Sequence, residues 1–263
     1  MSSHDPLDDY QCESMTFDDR AKDVYSKGSG PAVVIMTEIP GITPEVADFG
    51  RRVADAGFTV FLPDLFGTPG KPFSNGYAVR SIARACVSRE FVAFAKAKSS
   101  PVTTWLRELI AEAHQRCGGE GVGLVGMCFT GGFALALAVD PLVKVPVMSQ
   151  PSLPFGLTKA HRQDLGLSDD ELAVVQERVA TDDLCVIGLR FSEDPMVPRE
   201  RFVRLRAELG DGFLGVEIDN SPPNPYDFPK NAHSVLTTEY RDDPDVPTKV
   251  ANDLVIQHFL EKL

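Results

Sequence analysis

Short apolar segments alternate with longer amphipathic ones along this 263-residue chain, and this order constrains the fold more than any other feature. Residues 31–37 (PAVVIMT) form a β-branched run that is apolar on both faces, as a strand buried in a parallel sheet requires. A helix pattern with Pro44 at its first position ends at Gly57 and leads into a second apolar run at 58–63. Repeats of this kind predict an α/β fold with a mainly parallel sheet flanked by helices on both faces.

The same alternation continues to the C-terminus. Further strands are expected at 122–126, 143–149, 184–191 and 213–218, and helices at 78–97, 102–117, 129–139, 198–209 and 248–262. No repeat or Gly/Ser-rich linker divides the chain, so we expect a single domain over 1–263, with 1–29 as an N-terminal extension or edge segment. Residues 150–181 interrupt the pattern and are interpreted either as a lid or as a plain insertion at one rim of the sheet.

Charge and cysteine content restrict what this domain binds and where it works. The formal net charge of -12 disfavours nucleic acid and anionic membrane surfaces as partners. No apolar run approaches the roughly 20 residues of a membrane span, and the N-terminus lacks a secretory signal pattern. Five scattered cysteines without C-x-x-C spacing indicate free thiols, so a reducing, cytoplasmic location is expected. The dispersed histidines form no metal-ligand pair, so no metal is expected.

Residues 121–126 read G-x-G-x-x-G, the pattern of dinucleotide-binding proteins. That motif needs a strand before its first glycine and a helix that starts within it. Here the preceding residues, HQRCGGE, are polar and turn-like, which places the glycines inside the strand itself. We therefore expect close backbone packing at these glycines, and no cofactor.

The residues after this strand carry the strongest chemical signal. The stretch GMCFTGG at 126–132 resembles the nucleophile elbow of α/β-hydrolases, with Cys128 at the serine position and a threonine where the second glycine is expected. A cysteine there lies at a helix N-terminus, which stabilises a thiolate. Of the two histidines that follow, His258 lies within the last helix pattern, whereas His233 lies in a proline-rich loop after a strand. Asp194 ends an earlier strand, which completes the order nucleophile, acid, base.

From about residue 30 to the C-terminus, the chain resembles the dienelactone hydrolase family. The resemblance rests on the cysteine elbow, on the turns at Asp194 and His233, and on the stretches TEIPGI (37–42) and LPDLFG (62–67). It implies an α/β-hydrolase fold in which Cys128 is the nucleophile, His233 the general base and Asp194 the group that orients the base.

The resemblance also implies roles for residues around the nucleophile. Glu38 would hold the resting thiol and move away when substrate binds, whereas the alternative is a partnered acid at a strand end. The backbone N–H groups of Ile39 and Phe129 would form the oxyanion hole. Family members that cleave dienelactone hold its carboxylate with two arginines. Arg89 is a candidate for one, or else a solvated helix charge, and Thr237 stands at the position of the other.

These residues predict a cysteine-dependent hydrolase that cleaves a small-molecule carboxylic ester or lactone through a thioester acyl-enzyme. Two alternatives stay open. One is a general carboxylesterase or thioesterase on the same fold, and the other is a ligand-binding or redox-sensing protein without turnover, in which Cys128 is modified. The complete set of cysteine, aspartate and histidine favours an enzyme, because a pure binding protein has no physical need for all three.

Overall fold

A computed structural model describes residues 3–87, 101–156 and 158–263. Its centre is an eight-stranded sheet in the order β1-β2-β4-β3-β5-β6-β7-β8, in which β2 runs antiparallel to β1 and β4 and all other neighbours are parallel. The strands are β1 Gln11–Phe17, β2 Arg20–Gly28, β3 Ala32–Met36, β4 Thr59–Pro63, β5 Val122–Met127, β6 Val143–Ser149, β7 Val186–Phe191 and β8 Phe213–Ile218. The predicted parallel strands are thereby confirmed.

Eight α-helices connect or flank these strands in the described part of the chain. They are α1 Pro44–Asp55, α2 Asn75–Val87, α3 Pro101–Cys117, α4 Gly131–Leu137, α5 Lys159–Gln163, α6 Asp169–Thr181, α7 Arg199–Leu209 and α8 Pro247–Lys262. The start of α1 follows the sequence signal, because the Thr43 side chain accepts a hydrogen bond from the Val46 N–H and proline occupies the first turn. The helix expected over 78–97 begins earlier, at Asn75, and is described only as far as Val87. None of the described helices is both long and apolar enough to cross a membrane.

The sheet separates two apolar cores because successive strand residues point to opposite faces. In β3, Val34 and Met36 face the side covered by α3, α4, α6 and α7. Val33 and Ile35 face the opposite side, where α1 and α8 pack. The predicted α/β architecture with helices on both faces is therefore confirmed.

The glycines of the G-x-G-x-x-G sequence serve packing inside and beside β5. A β-carbon on Gly123 would lie 2.8 Å from the ring of Phe259 in α8, so α8 packs closely on the strand only because the side chain is absent. A β-carbon on Gly126 would lie 2.3 Å from the carbonyl oxygen of Thr130. The strand location expected for these glycines is correct.

The N-terminal segment contains the antiparallel pair β1–β2, which extends the sheet at one edge. Trp105, the single tryptophan of the chain, fastens this pair to α3. Its buried indole Nε1 donates to the carbonyl of Arg20 at 3.0 Å, and its ring meets Phe17 edge-on at a centroid distance of 5.4 Å. The edge position expected for residues 1–29 is compatible with this arrangement, although the sequence did not indicate two strands.

Residues 150–181 contain α5 and α6 and are tied to α7 by a buried arginine. The guanidinium of Arg201, which is fully buried, donates to the carbonyls of Pro151 at 2.6 Å, Asp164 at 2.9 Å and Pro154. Burial lowers the pKa of Arg201 to about 10. The segment is thus anchored at its N-terminal half, and its action as a lid stays a prediction.

Candidate active site

The turn after β5 holds Cys128 in a backbone conformation that few residues other than glycine adopt. Its φ angle is +52°, and it is the first residue of a single 3-10 turn, Cys128–Thr130, that leads into α4. Such a left-handed conformation in a non-glycine residue stores strain and is typical of functional turns. The predicted elbow is present, although the helix expected over 129–139 begins as this 3-10 turn.

Thr130 stands where the general elbow pattern has its second glycine, and its side chain makes specific hydrogen bonds. Its buried hydroxyl accepts a hydrogen bond from the Met127 N–H at 2.9 Å and lies 2.8 Å from the carbonyl of Met36, to which it donates. The side chain therefore joins the ends of the neighbouring strands β3 and β5 beside Cys128. A glycine at this position would leave the Met127 N–H without that partner.

Asp194 and His233 come together from loops that follow β7 and β8. The Nδ1 atom of His233 donates to Asp194 Oδ2 at 2.6 Å, and the other oxygen, Oδ1, accepts from the Met196 N–H at 2.9 Å. Because Asp194 is buried, this pair fixes the ring and its tautomer. The opposite ring atom, Nε2, is also buried and has no hydrogen-bond partner within the described residues.

The charge state of His233 is set by opposing influences. Burial by itself lowers the pKa of His233, because the interior disfavours a charged ring. The negative charge of a Cys128 thiolate and the hydrogen bond with Asp194 raise it, and the resulting pKa of His233 is well above 6.5. The arrangement therefore favours a protonated imidazole.

Glu38 follows β3 and is buried, but its hydrogen bonds go to side chains other than the cysteine. Its carboxyl oxygens accept from Ser234 Oγ at 2.6 Å, from Gln150 Nε2 at 3.2 Å and from the Thr237 hydroxyl. Thr237 thus supports Glu38 at the position where the family resemblance implies an arginine. The reading of Glu38 as a partnered acid at a strand end describes these contacts, and its role in gating the thiol stays a prediction.

The sulfur of Cys128 is held by a different residue. Ser152 Oγ lies 3.5 Å from Cys128 Sγ, and the Ser152 N–H donates to the Cys128 carbonyl at 2.9 Å. Ser152 follows β6 and is buried beside the elbow. Ser152 therefore contacts both the backbone and the side chain of Cys128.

A cavity of about 480 Å³ brings the predicted residues to one surface. Its walls include Cys128, His233, Glu38, Ile39 and Phe129, which are the proposed nucleophile, base, gate and oxyanion-hole residues. Asp194 lies behind the histidine, as an orienting group should. The remaining predicted residue, an arginine at position 89, lies outside the described residues.

Three polar residues of the site, Gln150, Ser152 and Ser234, had no role in the sequence interpretation. Gln150 and Ser152 follow β6, and only the parallel pairing of β6 beside β5 brings them near the elbow. Ser234 is next to His233 in sequence, and that adjacency is the one signal that could have found it. The other two needed the sheet order.

A cysteine elbow on the central strand of a parallel sheet, with an aspartate and a histidine after later strands, defines the α/β-hydrolase class. The family model for the dienelactone hydrolase family matches residues 20–170, which is more than half of the chain. The chain therefore belongs to the dienelactone hydrolase family.

Individual relatives are distant. A Synechocystis protein described as a "putative carboxymethylenebutenolidase" is 28% identical over 119 residues, which span 44% of this chain and 46%, or about half, of that protein. A Salmonella typhi protein with the same description is 25% identical over 201 residues, which span 75% of this chain and 67% of that protein.

Solved structures confirm the fold. The dienelactone hydrolase of Anabaena variabilis has a TM-score of 0.59 and 16% identity, with coverage of 97% of this chain and 98% of that one. A dienelactone hydrolase-like promiscuous phosphotriesterase from metagenomic libraries has a TM-score of 0.63 and 17% identity, with coverage of 96% and 98%. At these identities the likeness concerns the fold alone.

Proposed function

We propose that this chain hydrolyses carboxylic esters or lactones through a thioester formed on Cys128. The observation that carries the proposal is the His233 ring, which is fixed by buried Asp194 at Nδ1 and has an unpartnered Nε2 beside the cavity that Cys128 lines. A base oriented in this way next to a strained nucleophile is the arrangement that acyl transfer requires.

Each step of the proposed reaction uses one of the predicted site residues. The Cys128 thiolate attacks the carbonyl carbon, and the N–H groups of Ile39 and Phe129 bind the oxygen that becomes negative. As the intermediate collapses, protonated His233 gives its proton to the departing alkoxide, and a thioester with the sulfur results. Neutral His233 then takes a proton from water, the hydroxide attacks the thioester, and the acid is released as the thiolate re-forms. When an enol-lactone opens, the enolate stays tethered to the acyl group, where it helps to activate that water.

The test is turnover of three probes, namely a dienelactone, p-nitrophenyl acetate and an acyl thioester, by the wild type and by Cys128→Ala. We expect product release by the wild type and loss of at least about 10³-fold in the variant, because the covalent route is then closed. Mass spectrometry of a single turnover should find the acyl group on the peptide that contains Cys128. The relative rates on the three probes distinguish a lactonase from a general esterase or thioesterase.

Cys185→Ala is the matched control. Cys185 is half-buried like the nucleophile, but burial raises the pKa of its thiol, so it stays uncharged. We expect the control to keep wild-type activity. Equal rates for the wild type and Cys128→Ala on all three probes would contradict the proposal and favour the ligand-binding or redox-sensing alternative.

The proposal includes the compartment that the sequence indicated. Cys12, Cys117, Cys128 and Cys185 are free, and a thiol nucleophile needs reducing conditions such as those of the cytoplasm. The partner is a small molecule, because the reacting atoms lie in a cavity of about 480 Å³.

A further inference from the structure

The cavity carries a second acidic residue besides Glu38. Glu239 also lines the cavity. Its backbone N–H donates to the carbonyl of Ser234 at 3.0 Å, which holds residue 239 close to the His233 loop. Burial raises the pKa of Glu239, which is opposed by the positive charge of Arg241. Arg241 itself donates to the carbonyl of Tyr226 and is not among the residues that line the cavity.

The position where the family resemblance implies a carboxylate-binding arginine is also occupied differently. Thr237 is buried and its hydroxyl donates a hydrogen bond to the Glu38 carboxylate. This position therefore stabilises Glu38 and supplies no positive charge to bind a substrate carboxylate. Among the described residues that line the cavity, the acidic ones are Glu38 and Glu239, and the basic one is His233, whose positive charge is paired with Asp194 behind it.

The mouth of the cavity is apolar. Phe73, Phe155 and Met196 line it and are 52%, 45% and 47% exposed, which places three of the largest exposed apolar side chains of the described chain at one opening. Exposed apolar groups gathered at a site commonly mark a surface that binds an apolar ligand. Because they line the same cavity as Cys128, an apolar group bound there can belong to a substrate whose carbonyl reaches the sulfur.

We propose that this site selects uncharged esters with apolar groups beside the carbonyl and discriminates against substrates that carry a carboxylate. The inference rests on the proposed hydrolase function and names its substrate class. Its physical cause is repulsion between a substrate carboxylate and the acidic residues Glu38 and Glu239, which is strong because the cavity is partly shielded from water. The apolar mouth adds favourable burial for a neutral chain and none for a charged one.

The experiment compares two substrates of nearly equal shape. In p-nitrophenyl pentanoate the acyl chain ends in a methyl group, and in mono-p-nitrophenyl glutarate a carboxylate stands at that end. We expect the wild type to have a kcat/KM at least about tenfold higher for the pentanoate. Glu239→Gln should lower the ratio of kcat/KM for the pentanoate to kcat/KM for the glutarate by about fivefold, because it removes one negative charge without changing the shape of the cavity.

Glu108→Gln is the control for net charge, because it removes the same charge from an exposed position on α3. It should leave the ratio as in the wild type. Equal kcat/KM values for the two substrates, both dependent on Cys128, would overturn this inference and leave the hydrolase function standing. A shift of the ratio in Glu108→Gln as large as in Glu239→Gln would also overturn it, because the discrimination would then be a property of the whole molecule. Turnover of neither substrate would contradict both the inference and the proposed function.

Discussion

Asp194 shows how one residue sets both the geometry and the charge of the site. Asp194 is buried, and its two oxygens accept separate hydrogen bonds, one from the ring of His233 and one from the Met196 N–H. A carboxylate held in this way orients the ring and stabilises its protonated form. The titration of His233 should therefore depend on Asp194.

Asp194→Asn should lower the pKa of His233, because the amide keeps the shape of the side chain and removes its charge. The midpoint of the histidine titration, followed by NMR, should move to lower pH, and kcat/KM should fall by about 10²-fold at neutral pH. The same substitution should lower the free energy of unfolding at low pH. Because the folded state raises the pKa of His233, protonation of the ring adds stability that is complete below pH 6.5 and disappears as the pH rises through the folded-state pKa. The variant should lose this contribution.

Asp211→Asn removes an exposed carboxylate and serves as the control for the loss of one charge. Its His233 titration should match that of the wild type. An unchanged titration in Asp194→Asn would show that Asp194 does not set the charge of the ring.

Ser152→Ala tests the contact between Ser152 and the sulfur of Cys128, the proposed nucleophile. The hydroxyl lies 3.5 Å from Cys128 Sγ, whereas the N–H to the Cys128 carbonyl is kept in the variant, so the backbone of the elbow stays in place. We expect kcat to fall by about threefold to tenfold with little change in KM, because a hydrogen bond to the sulfur positions it. The pH dependence of Cys128 alkylation by iodoacetamide should shift as well. If kcat and the alkylation profile both match the wild type, Ser152 is only a packing residue.

The proximity of the three candidate catalytic residues could be predicted because each stands at a recognisable place in the chain. Cys128 follows a strand with glycine before it, and Asp194 and His233 each follow a later strand. The surroundings of Glu38 could not be predicted. Its partners Gln150 and Thr237 are 112 and 199 residues away in sequence, and only the folded sheet brings them together.

At the scale of elements, the elbow depends on the joint that Thr130 makes between β3 and β5. Thr130→Val keeps the shape of the side chain but removes both hydrogen bonds, and leaves the Met127 N–H without its side-chain partner. We expect a loss of about 1–3 kcal/mol in the free energy of unfolding, measured by urea denaturation. Thr181→Val, at an exposed helix end, should change it by less than about 0.5 kcal/mol. Equal losses of unfolding free energy in the two variants would mean that the hydrogen bonds of Thr130 contribute no more than those of an exposed threonine.

The elements themselves were predictable to different degrees for a physical reason. Strands buried on both faces, such as β3 and β5, are continuous apolar runs, and a parallel sheet requires that composition. In contrast, β1 has a single buried residue, Met15, and β2 likewise only Val24. Strands with so little burial carry neither an apolar run nor a clear alternation, so the sequence did not reveal them.

At the scale of the whole molecule, Arg201 connects α7 to the first part of the 150–181 segment, which also contributes Ser152 and Phe155 to the cavity. Arg201→Met should leave the carbonyls of Pro151, Pro154 and Asp164 without this donor and cost about 3 kcal/mol of stability. Hydrogen exchange of amides in 151–165 should become faster.

Arg206→Met, on the same helix, is the matched control, because exposed Arg206 pairs with Glu217 of β8 and not with the 150–181 segment. It should leave both the stability and the exchange of 151–165 close to wild type. Unchanged exchange in Arg201→Met would mean that this segment is held by other contacts.

The contact of Trp105 with the carbonyl of Arg20 makes the protein its own optical probe. Because the chain has one tryptophan, all emission excited at 295 nm comes from the junction of α3 with the β1–β2 pair, on a residue that does not line the catalytic cavity. Release of the edge pair would expose the indole to water and move its emission to longer wavelength. Fluorescence therefore reports whether the β1–β2 pair stays attached to α3, while substrate turnover reports whether the cavity stays intact. Comparing the two signals during denaturation shows whether the two regions unfold together.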